Sequence, residues 1–299
     1  MIFRRREFLA RWAALPGNFR GGLWMVASGL AFTGLAVNIK VLGGRLPSIE
    51  IAFLRCFIAF LAILPLIAAT GWGQLRTAHL RIHLWRGGLG IGAMFCSYYA
   101  VAHLPLATYT ALSFTKPLFA TVLAALILKE TVRWRRWSAL AVGFLGVLVM
   151  VRPGAGTFEP ASLVALADAV TIAALAILVK RLPARETQLC MLFYFGVVSS
   201  LGAAVPAALV WLAPSPWEWA MIGAVAMFGL IGQSFFIHAF RAGEASAVAP
   251  MDYLRLPLAA SIGYGAFAEG VDGWAVAGAG VIIASTIYIA RREASLRPR

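Results

Sequence analysis

The sequence predicts an all-α integral membrane protein, with ten transmembrane helices arranged as two inverted five-helix repeats. Three observations carry that expectation. Of 299 residues, 61% are hydrophobic and only 13% are charged, and a water-facing exterior cannot be built from that mixture. The apolar residues run continuously rather than alternating, which excludes a porin-type barrel. The chain also contains itself twice. Lys116 returns 139 residues later as Arg255, and Glu130 returns as Glu269.

The helices follow in order. Segments 21–42 and 49–70 exceed the roughly 20 residues that cross the hydrocarbon core. The third helix is expected at 87–103, the fourth at 106–128 and the fifth at 137–151. The second five are expected at 163–180, 187–211, 217–239, 245–267 and 271–290. These group as a first repeat over 21–151 and a second over 160–290. Ahead of them, 1–20 reads as a cytoplasmic amphipathic segment. Phe8, Trp12 and Leu15 share one face beside Arg4, Arg5, Arg6 and Arg11, which suits an anionic inner leaflet. That segment lacks the uninterrupted apolar core of a cleavable signal. Residues 291–299 form a basic cytoplasmic tail.

Charge sets the orientation. Of the 26 Lys and Arg, twenty fall in segments that are internal if the N-terminus is internal. Only Lys40, Arg45 and Arg152 fall outside, while Arg55, Lys116 and Arg255 lie within the membrane. Basic loops stay cytoplasmic, so both termini are expected inside a bacterial-type inner membrane. The loop after Glu130 is strongly basic, whereas the loop after Glu269 has no Lys or Arg. Matching loops therefore face opposite sides, and a repeat inverted in this way marks a secondary transporter. Other helices repeat too. Residues 35–40, ending in Lys40, align with 175–180, ending in Lys180. The stripe Gly92, Cys96, Tyr99, His103 maps onto Gly229, Gln233, Phe236, Phe240. The spacing puts each stripe on one helix face.

Leu104-Pro105-Leu106-Ala107 opens the fourth segment, Phe114 and Pro117 lie within it, and Leu128-Lys129-Glu130 closes it. Gly143 and Gly146 follow. The second half repeats the frame as Gly243-Glu244-Ala245-Ser246-Ala247, Pro257, Glu269 and Gly278-x-Gly280. This combination resembles the EamA-type branch of the drug/metabolite transporter superfamily over nearly the whole chain. The resemblance implies a ten-helix transporter that exports metabolites, often amino acids, or exchanges nucleotide sugars and organic phosphates. It implies a central cavity lined by helices one to four and six to nine, with the fifth and tenth peripheral. The halves differ in two places: Pro257 sits one residue closer to its Glu than Pro117 does, and Ser285 stands where the repeat predicts glycine.

Lys116 and Arg255 each lie about ten residues into a helix, near the midplane. Two central cations cost roughly 5–7 kcal/mol on insertion scales. A clamp for a substrate carboxylate or phosphate would explain that cost; so would internal neutralisation. Asp252, three residues before Arg255, can pair with it locally, while Ser113 holds the matching position before Lys116. Asp168 in the sixth helix reads either as an ammonium or proton partner or as a salt bridge to an intramembrane cation. Tyr99, Gln233, Phe236 and Cys96 would contact the remainder of the substrate. Pro117 and Pro257 remove mid-helix hydrogen bonds, so each half is expected to hinge there. Arg55, about six residues from its helix end, is expected to snorkel to the interface and stays outside the site.

The net charge of +14 is spread in clusters between apolar runs, which is a topology signal and argues against nucleic acid. Cys56, Cys96 and Cys190 sit in apolar runs, without support for disulfides or thiolate metal sites. His79 and His83 have metal-ligand spacing but no adjacent carboxylate or Cys, so no metal is expected. The Gly87-Gly88-x-Gly90-x-Gly92 run follows no strand; it reads as a place of close helix approach rather than a dinucleotide loop. His238, one turn after Ser234, reads as a capped core histidine. Glu130 and Glu269 read as structural anchors. No nucleophile–base set supports an enzyme, including a lipid-modifying one, and no cofactor is implied. The expectation is therefore a transporter that exports small polar metabolites, most simply amino acids, by alternating access. An organic-phosphate or nucleotide-sugar exchanger is the alternative. Its partners are the substrate and the lipid bilayer, and a monomer suffices.

Overall fold

Prolines set where several helices begin. Pro16, Pro47 and Pro105 each hold an extended backbone immediately before a helix, because the ring fixes φ and disfavours helix in the residue before it. The computed structural model describes residues 15–127, 129, 134–152, 159–180, 187–243, 248–270 and 272–296. Residues 1–14, 128, 130–133, 153–158, 181–186, 244–247, 271 and 297–299, with Glu130 among them, lie outside the described residues.

The helices are α1 (Gly17–Leu42), α2 (Ser48–Thr70), α3 (Leu80–His103), α4 (Leu106–Ser113), α5 (Lys116–Ile127) and α6 (Trp134–Val151). They continue as α7 (Ala161–Lys180), α8 (Gln188–Leu209), α9 (Pro216–Ala242), α10 (Arg255–Phe267) and α11 (Gly273–Leu296), with short 3-10 turns at Trp72–Leu75 and Ala249–Leu254. No strand occurs among the described residues. Taking α4 with α5, and the second 3-10 turn with α10, gives the ten helical passages expected. Six are long and apolar enough to cross a membrane by length and composition: Gly17–Leu42, Ser48–Thr70, Leu106–Ile127, Ala161–Leu178, Leu189–Leu209 and Pro216–Ala242. Trp137–Val151 and Gly273–Tyr288 are shorter apolar helices.

The fourth passage corrects the expectation of one continuous helix. Pro117 has no N–H to give the Ser113 carbonyl, so the helix ends at Ser113 and restarts at Lys116. The turn is closed by Phe114 N–H to Ala111 O and Thr115 N–H to Leu112 O. The hydroxyls of Ser113 and Thr115 donate to the Thr110 and Leu112 carbonyls, each at 2.7 Å, supplying partners that a helix end otherwise lacks. In the second half the 3-10 turn ends one residue before Arg255. Lys116 and Arg255 therefore each head a second half-helix instead of sitting mid-helix.

The broadest packing pairs α1 with α9, α3 with α7, α6 with α11, and α2 with α8. The central cluster gathers Ile39, Leu42, Ile51, Leu104, Leu112 and Ile222. The glycine run in α3 allows close approach to α8, as expected: a Cβ at Gly87 would fall 2.5 Å from Val198, and one at Gly90 would strike the Phe195 ring. Ser285 is accommodated by a notch, since its Oγ lies 2.6 Å from where a Cβ at Gly143 would stand.

Ion pairs join helix ends on the face holding the α1–α2 loop, here termed the Arg45 face. Arg45 pairs with Glu218 at the start of α9, and Arg152 with Asp272 before α11. Glu218 also completes a capping box with Ser215, which satisfies two free N–H groups of α9. Buried Glu50 accepts from Leu212 N–H at 3.0 Å.

The α6–α11 crossing gives a stability test. A Cβ at Gly278 would fall 2.6 Å from the Gly146 carbonyl oxygen, whereas Gly280 meets nothing within 4 Å. Gly278→Val is expected to destabilise by about 1–3 kcal/mol, and Gly280→Ala to leave the melting temperature of purified protein nearly unchanged. Equal melting temperatures would show that the helices are not in contact there.

Candidate functional site

The breaks in the fourth and ninth passages position the charged centre. Lys116, in the first turn of α5, faces Asp168 in the second turn of α7, with Nζ 3.3 Å from Oδ2. Asp168 is buried and Lys116 is about one-third exposed. The Asp168 Oδ2 receives no hydrogen bond of ordinary geometry, so the contact is an ion pair and not a locked hydrogen bond. Tyr109 of α4 lies within electrostatic reach of both charges, and its hydroxyl shares a 2.6 Å hydrogen bond with Ser97 of α3. Cys96 also lies within reach of Asp168.

Arg255 forms the second charged pair. Its Nη1 is 3.6 Å from Asp252 Oδ1, the local i, i+3 contact the sequence allows. The guanidinium rests over the Phe32 ring of α1 at 5.3 Å, a cation–π contact that offsets part of its lost hydration. Gly29 makes room, since a Cβ there would fall 2.7 Å from Arg255 Cγ. Arg255 acts electrostatically on Lys116, so the two cations share one region although each has its own aspartate.

Other expected residues are distributed around this centre. Cys96 and Tyr99 line an open vestibule of about 540 Å³ on the Arg45 face, together with Phe95, His103, Ser48 and Val164. Tyr99 and His103 stack there with centroids 4.0 Å apart. Val164 precedes Asp168 by one turn on the same face of α7, so the ion pair lies one helical turn beyond the vestibule's lining. Ser113 is buried and bonds its own helix rather than Lys116. Pro257 borders a smaller cavity of about 230 Å³ with Pro105, Thr108 and Glu269. Gln233 is exposed on α9, and Phe236 packs on Phe240 and beside Met25 and Val248. No contact joins those two to the Lys116–Asp168 pair among the described residues. His238 bonds back to the Ser234 carbonyl but is exposed, unlike the core histidine expected.

Glu269 behaves as the anchor the sequence suggests. Its Oε1 lies 2.5 Å from Lys40 Nζ, and its Oε2 accepts from Leu106 N–H at 2.8 Å. Lys40 also donates to the Leu104 carbonyl at 2.6 Å. One carboxylate thus joins the end of α1 to the start of α4. Arg55 departs from expectation. It does not snorkel; its guanidinium turns between α3 and α9, with Nη1 3.4 Å from Met94 Sδ. Sequence position hid this, because the space at Gly229 that admits the guanidinium exists only once α2 and α9 are packed.

Among the described residues no group of three or more His, Cys, Asp or Glu is placed to hold a metal ion, and no disulfide joins Cys56, Cys96 and Cys190. His83 stacks on Tyr194 at 5.0 Å. The Lys116–Asp168 pair, the Arg255–Asp252 pair and the vestibule form the candidate site. A family described as the EamA-like transporter family matches residues 19–152. The chain is also 34% identical over 280 residues to an S-adenosylmethionine uptake transporter of Rickettsia prowazekii, covering 94% of this chain and 95% of that protein.

The chain belongs to the EamA-like transporter family.

Within that family it is 30% identical to a riboflavin transporter of Vibrio cholerae, over 92% of this chain and 94% of that protein. It is 30% identical to a pseudopaline exporter of Pseudomonas aeruginosa, over 91% and 96%. A crystal structure of another protein superposes with a TM-score of 0.59 at 19% identity, covering 93% of this chain and 96% of that one; it shows a shared fold. The protein is a multi-pass membrane transporter for a small molecule, and not an enzyme.

Breaking the central pair tests its role in this EamA-like protein. Asp168→Asn is expected to destabilise by about 3 kcal/mol, because it strands a cation. The double variant with Lys116→Met should recover much of that loss. Strictly additive effects in a thermal double-mutant cycle would mean that the two side chains do not interact.

Proposed function

We propose that this protein carries amino-acid-type zwitterions across a bacterial-type inner membrane by alternating access, with both termini cytoplasmic. The reading treats 21–151 and 160–290 as inverted halves, with 1–20 and 291–299 outside them. The helix pairings support it. Exchanging the first five passages for the second turns the α1–α9 contact into α7–α3 and returns α2–α8 and α6–α11 to themselves. A cation heads the broken helix of each half.

The Lys116–Asp168 pair beneath the vestibule is the observation that carries this reading. A zwitterion can insert into that pair with no change in net charge. Its ammonium replaces Lys116 at Asp168, and its carboxylate replaces Asp168 at Lys116. Arg255 adds attraction for the carboxylate, Asp252 balances Arg255, and Tyr99 with Cys96 would meet the side chain. A monoanion would leave Asp168 buried without a cation, which is strongly unfavourable. This selects zwitterions over sugar phosphates. S-adenosylmethionine has such an α-amino-acid head, so it is the first compound to test. An uncoupled carrier moves its substrate down the gradient in either direction, so export of amino acids and uptake of a cofactor use the same machinery. Pro117 and Pro257, in the first turns of α5 and α10, would let each half-helix swing.

Uptake into proteoliposomes is the direct test, with labelled S-adenosylmethionine, an α-amino-acid panel, riboflavin and a sugar phosphate, each with and without a pH gradient. Zwitterions should be carried and should compete with one another, and Lys116→Met should reduce their uptake at least tenfold. Exchange of the sugar phosphate without zwitterion transport would reject the proposal. Topology has its own check. Single cysteines placed after Glu130 and after Glu269 should react with impermeant thiol reagents from opposite faces, and labelling of both from one face would contradict the inversion.

A further inference from the structure

Three cations lie inside the helix bundle, and two have aspartate partners. Arg55 is different. Among the described residues no carboxylate lies within ion-pair distance of it. Its Nη1 is 3.4 Å from the Met94 thioether, a weak acceptor for a group carrying five N–H donors, and the Tyr98 hydroxyl lies beside it. Beside it Tyr98 is 3% exposed; its hydroxyl lies against the guanidinium and has no other hydrogen-bond partner among the described residues. A half-buried guanidinium set among membrane-spanning helices without a carboxylate partner is costly, and such charges are rarely retained without a use.

The backbone around it is shaped to keep the group there. A Cβ at Gly229 would fall 2.6 Å from Arg55 Nη2 and 3.2 Å from Nε, so the guanidinium is seated in space that α9 leaves by having glycine there, and a side chain at that position would push it out. The guanidinium edge offers paired donors suited to a carboxylate. The Tyr98 hydroxyl adds a third donor from α3. Arg55, Tyr98 and Gly229 thus meet where α2, α3 and α9 approach one another, on other helices than Lys116 and Asp168.

We propose that Arg55, its guanidinium seated in the notch at Gly229, forms with the Tyr98 hydroxyl a second site, which binds one small monovalent anion. The site takes carboxylate-sized or smaller ions, since it offers a single positive charge. Its occupant is either a second carboxylate on the transported molecule or a free anion such as chloride that enters alongside it. The inference does not depend on which zwitterion is carried.

Thermal unfolding of the purified full-length protein tests it at constant ionic strength, with chloride or acetate replacing bulky gluconate. A ligand that binds only the folded state raises the melting temperature saturably. The wild-type protein should show that rise with both ions, and Lys116→Met should keep it. Arg55→Met should abolish it. Gly229→Ala, which retains the charge but fills the notch, should weaken the apparent affinity at least tenfold. If Arg55→Met does not fold, Arg55→Lys gives the readout, because it keeps the charge and loses the paired donors. No saturable rise in the wild-type protein, or an equal rise in the Arg55 and Gly229 variants, overturns the site. Transport assays then separate the two sources. A rate that falls when chloride is withdrawn assigns a free anion. A rate indifferent to chloride, with acetate competing selectively against dicarboxylic zwitterions, assigns the substrate's own carboxylate.

Discussion

Charge and backbone polarity inside a hydrocarbon slab must be satisfied within the protein, since no water is present to do it. That constraint organises this molecule from the loops to the centre. The freed carbonyls at the α4–α5 break are met by Ser113 and Thr115 hydroxyls. The amide that opens α4 is met by Glu269. Lys116 and Arg255 are met by Asp168 and Asp252. The break before Lys116, the start of α4 and the two half-helix cations each have a side chain that meets them.

Much of the architecture was legible in the sequence because lipid imposes simple length and charge rules. The ten passages, the close approach at Gly87 and Gly90 and the anchoring role of Glu269 all follow from local pattern. The pairing of Arg255 with Asp252 was readable because i, i+3 neighbours on a helix must meet. The Lys116–Asp168 pair was one of two readings the sequence left open, since partners on different helices cannot be chosen before those helices are packed. Side-chain assignments such as Gln233 and Phe236 rested on repeat alignment alone. The structure puts Tyr99 and Cys96 in the vestibule but gives their counterparts on α9 different surroundings. Positions that align in sequence on α3 and α9 thus have different surroundings.

Two features escaped sequence reasoning for the same physical reason. Arg55 needs the backbone space at Gly229 on a helix more than 170 residues away. Ser285 interrupts the glycine pattern and yet fits, because Gly143 across the α6–α11 crossing yields the volume it requires. Both are statements about space between helices, and a single sequence records such space only as an unexplained small residue elsewhere.

The double duty of Glu269 has a mechanical corollary. Its two oxygens hold separate objects, the ammonium terminating α1 and the leading amide of α4. If either rod tilts, the other is dragged or the carboxylate lets go of one of them. Motion at this rim is thereby biased towards discrete jumps, with those two rods travelling as a unit and few stopping points between.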